Sequence, residues 1–399
     1  MPSSTVIART AERRKSGAPD LLVQEQSLRI AMVGLRGIPA TYGGVERAVE
    51  ELSANLASRG HRVTVFARRG YCDTRTRSHR GVEVVHLGQI NTKHLEAISH
   101  TAWAVAVALH SRRFDVVHFH ATGPSLLAFV PRLMGVPTVA TVQGLDWRRE
   151  KWGPFARFVL RIAARTSAIF PSKTIVVSHE LERHFREDFD ADAVYIPNGV
   201  EQSLTETVPV EGFEPERFVL FLGRLVPEKH VHTLIEAYRH VDTDLPLVIA
   251  GPSSHSPRYV ERLEQLAAED PRVHLVGPRY GGEKAWLMRQ ALAFVQPSSV
   301  EGLPIALLEA LEAGRFPIVS DIPENLEVVT VGDERVGVQV PVGDVEALGI
   351  AIQQSIERAD HGPLGQRVSE HVRGEYDWGR IAEATERVYQ EAITASRRS

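Results

Sequence analysis

The chain has 399 residues, of which 43% are hydrophobic and 24% charged, and its formal net charge at pH 7 is −4. These values are typical of a globular protein with two ordinary α/β domains, and the slight acidity argues against a general nucleic-acid binder. The single cysteine, Cys72, cannot form an internal disulfide, and no Cys/His cluster has the spacing of a zinc site. No apolar run reaches the length of a membrane span.

The first segment, residues 1–27, is polar and carries the basic triplet Arg13-Arg14-Lys15 with no apolar stretch after it. It is predicted to be a disordered tail rather than a signal peptide. Together with the single cysteine, this pattern favours a cytoplasmic protein.

Apolar runs alternate with helical segments from residue 28 onward, and this alternation predicts doubly wound, mostly parallel α/β sheets. The polar stretch 201–216 is typical of an interdomain linker. We therefore predict an N-terminal Rossmann-like domain at 28–198, a C-terminal Rossmann-like domain at 199–375, and a C-terminal helix within 376–399 that packs back across the domains. The strands are expected at residues 28–33, 62–66, 82–86, 115–120, 138–142, 174–177, 192–198, 218–222, 247–250, 273–276, 293–296 and 317–320.

The loop after the first strand, residues 34–44, is rich in glycine and leads into a predicted helix. Gly43 and Gly44 would let backbone N–H groups approach a ligand closely. An ordinary glycine turn accounts for the same pattern. The loop lacks G-x-G-x-x-G, so a nicotinamide oxidoreductase is the least expected class.

The strand at 115–120 ends in two histidines, His118 and His120. Strand alternation places both side chains on one face of the sheet. His120, at the carboxyl end, is the better placed for a ligand crevice, whereas a structural role is the alternative.

A basic and aromatic stretch runs from Trp147 to Arg165. Its arginines recur every four residues and form one stripe on a predicted helix. The stretch could contact an anionic membrane surface, hold an anionic acceptor or be a solvated charged face. The residues concerned are Arg157, Arg161 and Arg165, with Trp147, Trp152, Phe155 and Phe158 nearby.

Two cations flank the strand-to-helix turn after 218–222, Arg224 and Lys229. A helix N-terminus with two cations is suited to bind a pyrophosphate, although two surface cations would look the same.

Two glutamates follow the predicted strand 293–296. Glu301 should lie in the loop at its carboxyl end. Glu309 should lie inside the next helix, which Pro304 starts as first residue and Gly314 ends. Because apolar residues flank Glu309, its charge needs a partner, and a hydroxyl-rich ligand is one candidate. Both carboxylates are expected at a strand-to-helix switch, where open α/β sheets bind ligands.

Taken together, these motifs resemble family 4 glycosyltransferases of the GT-B fold. The donor half is similar in Gly223-Arg224, in Glu228-Lys229, and in Glu301 followed after seven residues by Glu309. The other half is similar in Gly43-Gly44, His120, Val177-Ser178 and residues 196–199. Residues 36–40 and 144–152 resemble a rhamnosyltransferase-like subgroup associated with bacterial surface-polysaccharide assembly.

The resemblance implies two domains facing across a cleft. It also implies retaining transfer of a sugar from a nucleotide-diphosphate sugar to a glycan, lipid-linked or small-molecule acceptor, with no metal and no cofactor. A peripheral position at the inner face of the membrane fits the basic stretch. The resemblance implies that Arg224 and Lys229 bind the diphosphate, that Glu309 binds the ribose, and that Glu301 binds the sugar hydroxyls beside the N–H groups of Gly302 and Leu303. It also implies that Gly43 and Gly44 closely approach the sugar and phosphates, and that His120 faces the anomeric centre. By position, the base contacts are expected near Gly277 to Arg279.

Two departures from the family pattern stand out. His230 occupies a position where glycine or asparagine is more common, and Gln143 one where histidine is common. The first could alter the start of a helix and the second the acceptor chemistry. The alternatives that remain open are a nucleotide-sugar epimerase and a non-catalytic nucleotide-sugar-binding protein.

Overall fold

The computed structural model describes residues 27–41, 43–90, 92, 95–111, 113–145, 147, 153–200, 206–253, 256–358 and 362–398. In this part of the chain, strands and helices alternate through two mostly parallel sheets. The predicted doubly wound α/β fold class is confirmed.

In the described part of the chain, the first sheet has eight strands. Across the sheet they follow the order 3-4-2-1-5-6-7-8, and all neighbours are parallel except the third and fourth strands, which are antiparallel. The strands are β1 (Arg29–Val33), β2 (Arg62–Arg68), β3 (Ser78–His79), β4 (Val82–Leu87), β5 (Val116–His120), β6 (Thr138–Val142), β7 (Lys173–Val176) and β8 (Val194–Tyr195).

Six helices of the described residues follow these strands and pack around the sheet. Every residue of β5 and β6 is buried, because helices cover both faces of a doubly wound sheet. The helices are α1 (Gly44–Ser58), α2 (Glu96–Ser111), α3 (Thr122–Ser125), α4 (Phe129–Leu133), α5 (Pro154–Ile169) and α6 (His179–Phe189).

Within the residues that the structure describes, the second sheet has six parallel strands in the order 11-10-9-12-13-16. They are β9 (Val219–Leu222), β10 (Leu247–Ala250), β11 (Val273–Gly277), β12 (Ala293–Gln296), β13 (Phe316–Ser320) and β16 (Val338–Val340), with a separate antiparallel pair, β14 (Thr330–Val331) and β15 (Glu334–Arg335). The helices of this half are α7 (Val231–Tyr238), α8 (Pro257–Ala268), α9 (Gly281–Gln290), α10 (Ile305–Glu312), α11 (Pro323–Val329), α12 (Val345–Glu357) and α13 (Gly362–Glu375).

The last helix, α14 (Trp378–Arg398), returns to the first sheet, where it packs against α1, β6 and β7. Where the chain passes between the two halves, the Val200 N–H donates to the Tyr376 carbonyl at 2.9 Å. A Cβ on Gly199 would lie 2.6 Å from the Trp378 ring. The segment that enters the second half and the segment that returns from it therefore pack this closely only with glycine at this position.

Three local expectations need correction. The strand expected at 192–198 is reduced to the two residues of β8. Pro304 precedes the first residue of α10 instead of being that residue. The helix expected to follow Lys229 directly is interrupted at His230, whose φ of +51° lies in the left-handed region. That conformation ends a short 3-10 turn before α7 begins, and it explains why glycine or asparagine suits this position.

Candidate active site

The proposed donor residues cluster where the second sheet changes direction. In this sheet β9 lies between β10 and β12, so the chain winds in opposite senses on its two sides. The loop after β9 carries Arg224 and Lys229, and the loop after β12 carries Glu301. Loops at such a switch point form the crevice in which open α/β sheets bind ligands.

Lys229 and Glu301 form an ion pair across these two loops. Their side chains are only 13% and 10% exposed, so the pair is largely withdrawn from water. Burial alone would raise the pKa of Glu301, but the Lys229 ammonium, a Ser298 hydrogen bond and the Arg224 charge outweigh burial, and the pKa falls below its ordinary value. Glu301 is therefore a carboxylate at neutral pH.

Neutral donors also hold the Glu301 carboxylate. The Gln296 amide donates to the same carboxylate oxygen that Lys229 contacts, and it donates to the Ser298 hydroxyl at 3.1 Å. Behind them, the Asn325 amide donates to the Ser320 hydroxyl at 2.9 Å, and that hydroxyl donates to the Ser298 carbonyl. Sequence reasoning missed this support, although polar Gln296 at the end of an apolar strand was a visible signal.

Glu309 has a lysine partner. Lys284 Nζ, in the first turn of α9, lies 2.5 Å from Glu309 Oε1 in α10, and both side chains are 13% exposed. The charge of Glu309 therefore has a partner, as expected, but that partner is Lys284, which the sequence analysis did not name. Near the start of the same helix, Arg279 pairs with Glu283 at 3.1 Å, and the contact of Arg279 with a base stays a prediction.

The N-terminal half meets this cluster directly. A Cβ on Gly302 would lie 1.8 Å from the Gln143 carbonyl oxygen, and one on Gly44 would lie 3.4 Å from the Ile305 side chain. Gly43 has a φ of +102°, and a Cβ there would meet Glu46 at 2.1 Å, so only glycine fits without displacing its neighbours. Leu303 is buried beside these contacts.

His120 is buried in the N-terminal half. Its side chain is 1% exposed, its ring centroid is 4.2 Å from that of His118, and its Nε2 lies 3.3 Å from Met32 Sδ. Burial lowers its pKa to about 3, so the ring is neutral at pH 7. His118 is held between the Tyr389 and Thr141 hydroxyls, both at 2.7 Å. Contact of His120 with a sugar stays a prediction.

Gln143, the second departure from the family pattern, forms a reciprocal amide pair with Asn198. The Asn198 amide donates to Gln143 Oε1 at 2.8 Å, and the Gln143 amide donates back at 3.4 Å. Both residues line the same small cavity as His120. The side chain at the position where histidine is common is therefore tied to Asn198, close to the point where the chain passes between the two halves.

An open cavity of about 1000 Å³ lies between α6, α11 and α14. Its charged side chains are largely paired with each other, as in Arg183 with Glu180 and Arg387 with Glu383. It contains none of the donor residues named above.

The basic stretch is only partly exposed. Trp147 is 6% exposed and packs beside His184, which corrects its expected place at a surface. Trp152 and the Phe155 side chain lie outside the described residues. On α5, by contrast, Arg157, Arg161, Arg165 and Phe158 are exposed. In the part of the chain that the structure covers, no helix combines the length and apolar character that crossing a bilayer demands.

Comparison with known proteins places this geometry in a family. Residues 42–204 match the model "Glycosyltransferase Family 4", and residues 205–373 match "Glycosyl transferases group 1". Among curated relatives, phosphatidyl-myo-inositol mannosyltransferase of Mycobacterium leprae is 28% identical over 88% of this chain and 94% of its own. Glycogen synthase of Mycobacterium tuberculosis is 26% identical over 93% and 96%.

Solved structures show the same fold. Sucrose-phosphate synthase of Thermosynechococcus elongatus superposes with a TM-score of 0.78 at 22% identity, covering 92% of this chain and all of that one. HepE of Anabaena, in complex with UDP and glucose, superposes with a TM-score of 0.73 at 18% identity, covering 91% and 99%. The two contiguous family matches and these superpositions lead to one conclusion: the chain belongs to glycosyltransferase family 4 and is a glycosyltransferase of the GT-B fold.

Proposed function

We propose that this glycosyltransferase moves a sugar, with retention at the anomeric carbon, from a nucleoside-diphosphate sugar to a glycan or lipid-linked acceptor. We propose further that it needs neither a metal nor a cofactor. The observation that carries the proposal is that two pairs of acidic and basic side chains lie at the switch point of the second sheet. Lys229 and Arg224 lie beside Glu301 there, and Glu309 with Lys284 lies on the two neighbouring helices.

The cations supply the chemistry that the leaving group requires. When the bond between the anomeric carbon and the phosphate oxygen breaks, its electron pair goes to the diphosphate, and Arg224 and Lys229 offset the new charge. Such fixed charges contribute roughly 100- to 1000-fold in rate for each donor. Two protein cations at this position can perform the charge compensation that a metal ion provides in other transferases.

Retention follows if the acceptor hydroxyl attacks the face from which the diphosphate departs. Its proton then passes to the departing phosphate oxygen. Glu301 is held by Lys229 and Gln296, which suits it to accept hydrogen bonds from sugar hydroxyls and not to attack the anomeric carbon.

The decisive experiment measures nucleoside-diphosphate release from a panel of nucleotide sugars, with and without acceptors. Lys229→Ala and Arg224→Ala should each lower kcat/KM by about 100-fold or more. Lys173→Ala, a cation of the other half that pairs with Glu391 at 2.7 Å, should not change it. Full activity of both site variants would exclude the assignment.

Further arms of the same assay separate the alternatives. A chelator should leave the rate unchanged, and the product anomer should match the donor anomer. Product formed from donor alone would favour an epimerase. Tight donor binding without turnover over a broad acceptor panel would favour a binding protein.

We also propose that α5 and the end of α4 contact an anionic membrane. Phe158 is 62% exposed and Ile162 44%, next to the exposed arginines of α5. Leu133, at the end of α4, is 81% exposed, and the Arg132 guanidinium joins that end to the Ile169 carbonyl at 3.0 Å. An apolar strip beside a basic one suits a bilayer interface that carries negative charge.

Vesicle co-sedimentation tests this surface. The protein should bind vesicles of phosphatidylcholine with phosphatidylglycerol more strongly than phosphatidylcholine alone, and salt should weaken that binding. Phe158→Ser with Ile162→Ser should abolish it. Ile350→Ser, which removes an equally exposed apolar side chain from α12, should not. Equal binding to both vesicle types would exclude the surface.

A further inference from the structure

We propose that donor binding at this site is an exchange of partners. The diphosphate displaces the Glu301 carboxylate from the Lys229 ammonium, and the released carboxylate oxygen then accepts hydrogen bonds from the hydroxyls of the transferred sugar. This inference rests on the proposed function and assigns Glu301 a second role, as the internal competitor of the diphosphate.

The first observation is that one carboxylate interacts with both cations. Glu301 forms an ion pair with Lys229, and the charge of Arg224 also acts on it. With side-chain exposures of 13% and 10%, the Lys229–Glu301 pair is poorly screened by water. A diphosphate that approached Lys229 with Glu301 still in place would bring two anions onto one ammonium, and like charges repel strongly in such surroundings. The carboxylate therefore has to give way.

The second observation is that Glu301 can leave Lys229 without becoming an isolated buried charge. The Gln296 amide and the Ser298 hydroxyl are both 0% exposed, and both bond to the carboxylate. Asn325 and Ser320 hold this pair from behind. A buried carboxylate with two neutral donors keeps its hydrogen bonds when its cation moves away, which removes most of the penalty for an unpaired charge.

The neighbouring pair behaves differently. Glu309 is paired with Lys284, which lies on α9 and not in the loop that carries the two diphosphate cations. Ribose hydroxyls can donate to Glu309 without competing for a cation that the diphosphate requires. The exchange is therefore specific to Glu301.

The exchange has a consequence for specificity and product release. A nucleoside diphosphate must displace Glu301 but offers it no sugar hydroxyls in return, whereas the intact donor offers them. After transfer, Glu301 returns to Lys229 and helps to expel the diphosphate. The site thus favours donor over product by means of the same carboxylate.

Calorimetric titration of the full chain with nucleoside diphosphates and the preferred nucleotide sugar tests this exchange. Glu301→Gln keeps the shape of the side chain and removes the competing charge, so the diphosphate should bind about fivefold more tightly or better, as expected for loss of one charge-assisted contact. The preference for donor over diphosphate should fall.

Glu309→Gln is the matched control, because it removes one negative charge from the same site. It should weaken binding of the diphosphate, which separates the exchange from a general loss of negative charge. Glu236→Gln, on α7 and paired with Arg262 at 3.2 Å, should change nothing.

A second variant keeps the inference testable if Glu301→Gln does not fold. Ser298→Ala removes one neutral donor from the released carboxylate and leaves the Lys229–Glu301 pair intact, so diphosphate affinity should fall a few-fold. Diphosphate affinity in Glu301→Gln equal to or weaker than that of the unchanged protein would overturn the exchange. So would unchanged or tighter binding in Ser298→Ala. If the unchanged protein bound no nucleoside diphosphate at all, the proposed function itself would fail.

Discussion

Gly302 lies so close to Gln143 that no side chain can stand between them. A Cβ on Gly302 would be 1.8 Å from the Gln143 carbonyl oxygen and 3.2 Å from Gly144 Cα. Gly302 follows Glu301 in the loop after β12, and Gln143 follows β6 in the other half of the molecule. The loops after β12 and β6 therefore meet at the residue next to Glu301, and this contact sets how closely the two halves approach each other there.

The first prediction concerns that contact. Gly302→Ala should lower kcat/KM for transfer by about 100-fold, because displacement of a reacting group by about 1 Å costs that much. Binding of the nucleoside diphosphate should stay within a few-fold, since Lys229 and Arg224 belong to the C-terminal half alone. Steady-state kinetics and calorimetric titration measure the two quantities separately.

Gly88→Ala is the matched control for this prediction. Among the described residues, no heavy atom outside its chain neighbours lies within 4 Å of a Cβ at that position, so the substitution should leave both quantities unchanged. Wild-type transfer by Gly302→Ala would show that the two halves do not need this close approach.

The second prediction concerns ribose recognition by Glu309. The unchanged protein should bind a nucleoside diphosphate more tightly than its 2′-deoxy or 3′-deoxy analogue by about 10- to 100-fold, the range for a hydrogen bond to a charged group. Glu309→Ala should bind all three with similar, weak affinity. Competition titration measures the ratios. Retained discrimination in this variant would assign the ribose contact to another residue.

The sequence predicted those parts of the site that depend on residues close to one another in the chain. Glu301 and Arg224 each directly follow the turn after an apolar strand, and parallel strands bring their carboxyl ends to one edge. The apolar neighbours of Glu309 also predicted that its charge needs a partner. The identity of that partner, Lys284, depends on how α9 packs against α10, and no local pattern encodes that packing.

The surroundings of His120 could not be predicted for a similar reason. Its neighbour His118 bonds to Tyr389, 271 positions later in the chain, because α14 returns to the first sheet. That long-range packing decides how deeply the histidine pair is buried. His230 shows a different limit: the departure from the family pattern was visible, but its left-handed backbone follows from the turn that joins Lys229 to α7.

The third prediction concerns the attachment of α14. Glu386 is 3% exposed and accepts hydrogen bonds from Arg59 at 2.8 Å and His61 at 2.9 Å. Glu386→Ala should lower the free energy of unfolding by about 3 kcal/mol, the lower end of the range for breaking a buried pair, since the Arg59 side chain is partly exposed and can rehydrate. Urea denaturation measures the change.

The control for this prediction lies on the same helix. Glu383 pairs with Arg387 at 2.6 Å, but both side chains are more than half exposed. Glu383→Ala should therefore change the free energy of unfolding by no more than about 0.5 kcal/mol. Equal effects of the two substitutions would show that α14 is not held by the buried pair.

The last prediction uses the pKa of Glu327, which lies between the two halves. Burial raises this pKa above its ordinary value of 4.5, and the His179 N–H, which donates to the carboxylate at 2.9 Å, lowers it without offsetting burial. The folded state therefore binds this proton more tightly than the unfolded state does. The resulting stabilisation is complete below pH 4.5 and is lost as pH rises through the raised folded pKa.

Glu327→Gln should accordingly raise the free energy of unfolding at pH 7 to 8, because the amide oxygen still accepts from the His179 N–H and no charge is buried. Its advantage over the unchanged protein should shrink as pH falls through the raised folded pKa, and it should be gone below pH 4.5, where Glu327 is protonated in both states. Urea denaturation across this pH range measures the difference. Glu334→Gln, whose side chain is 69% exposed beside Arg367, should show no such pH dependence. Destabilisation by Glu327→Gln to the same extent at every pH would contradict the prediction, because it would report a contact of Glu327 that does not depend on its protonation.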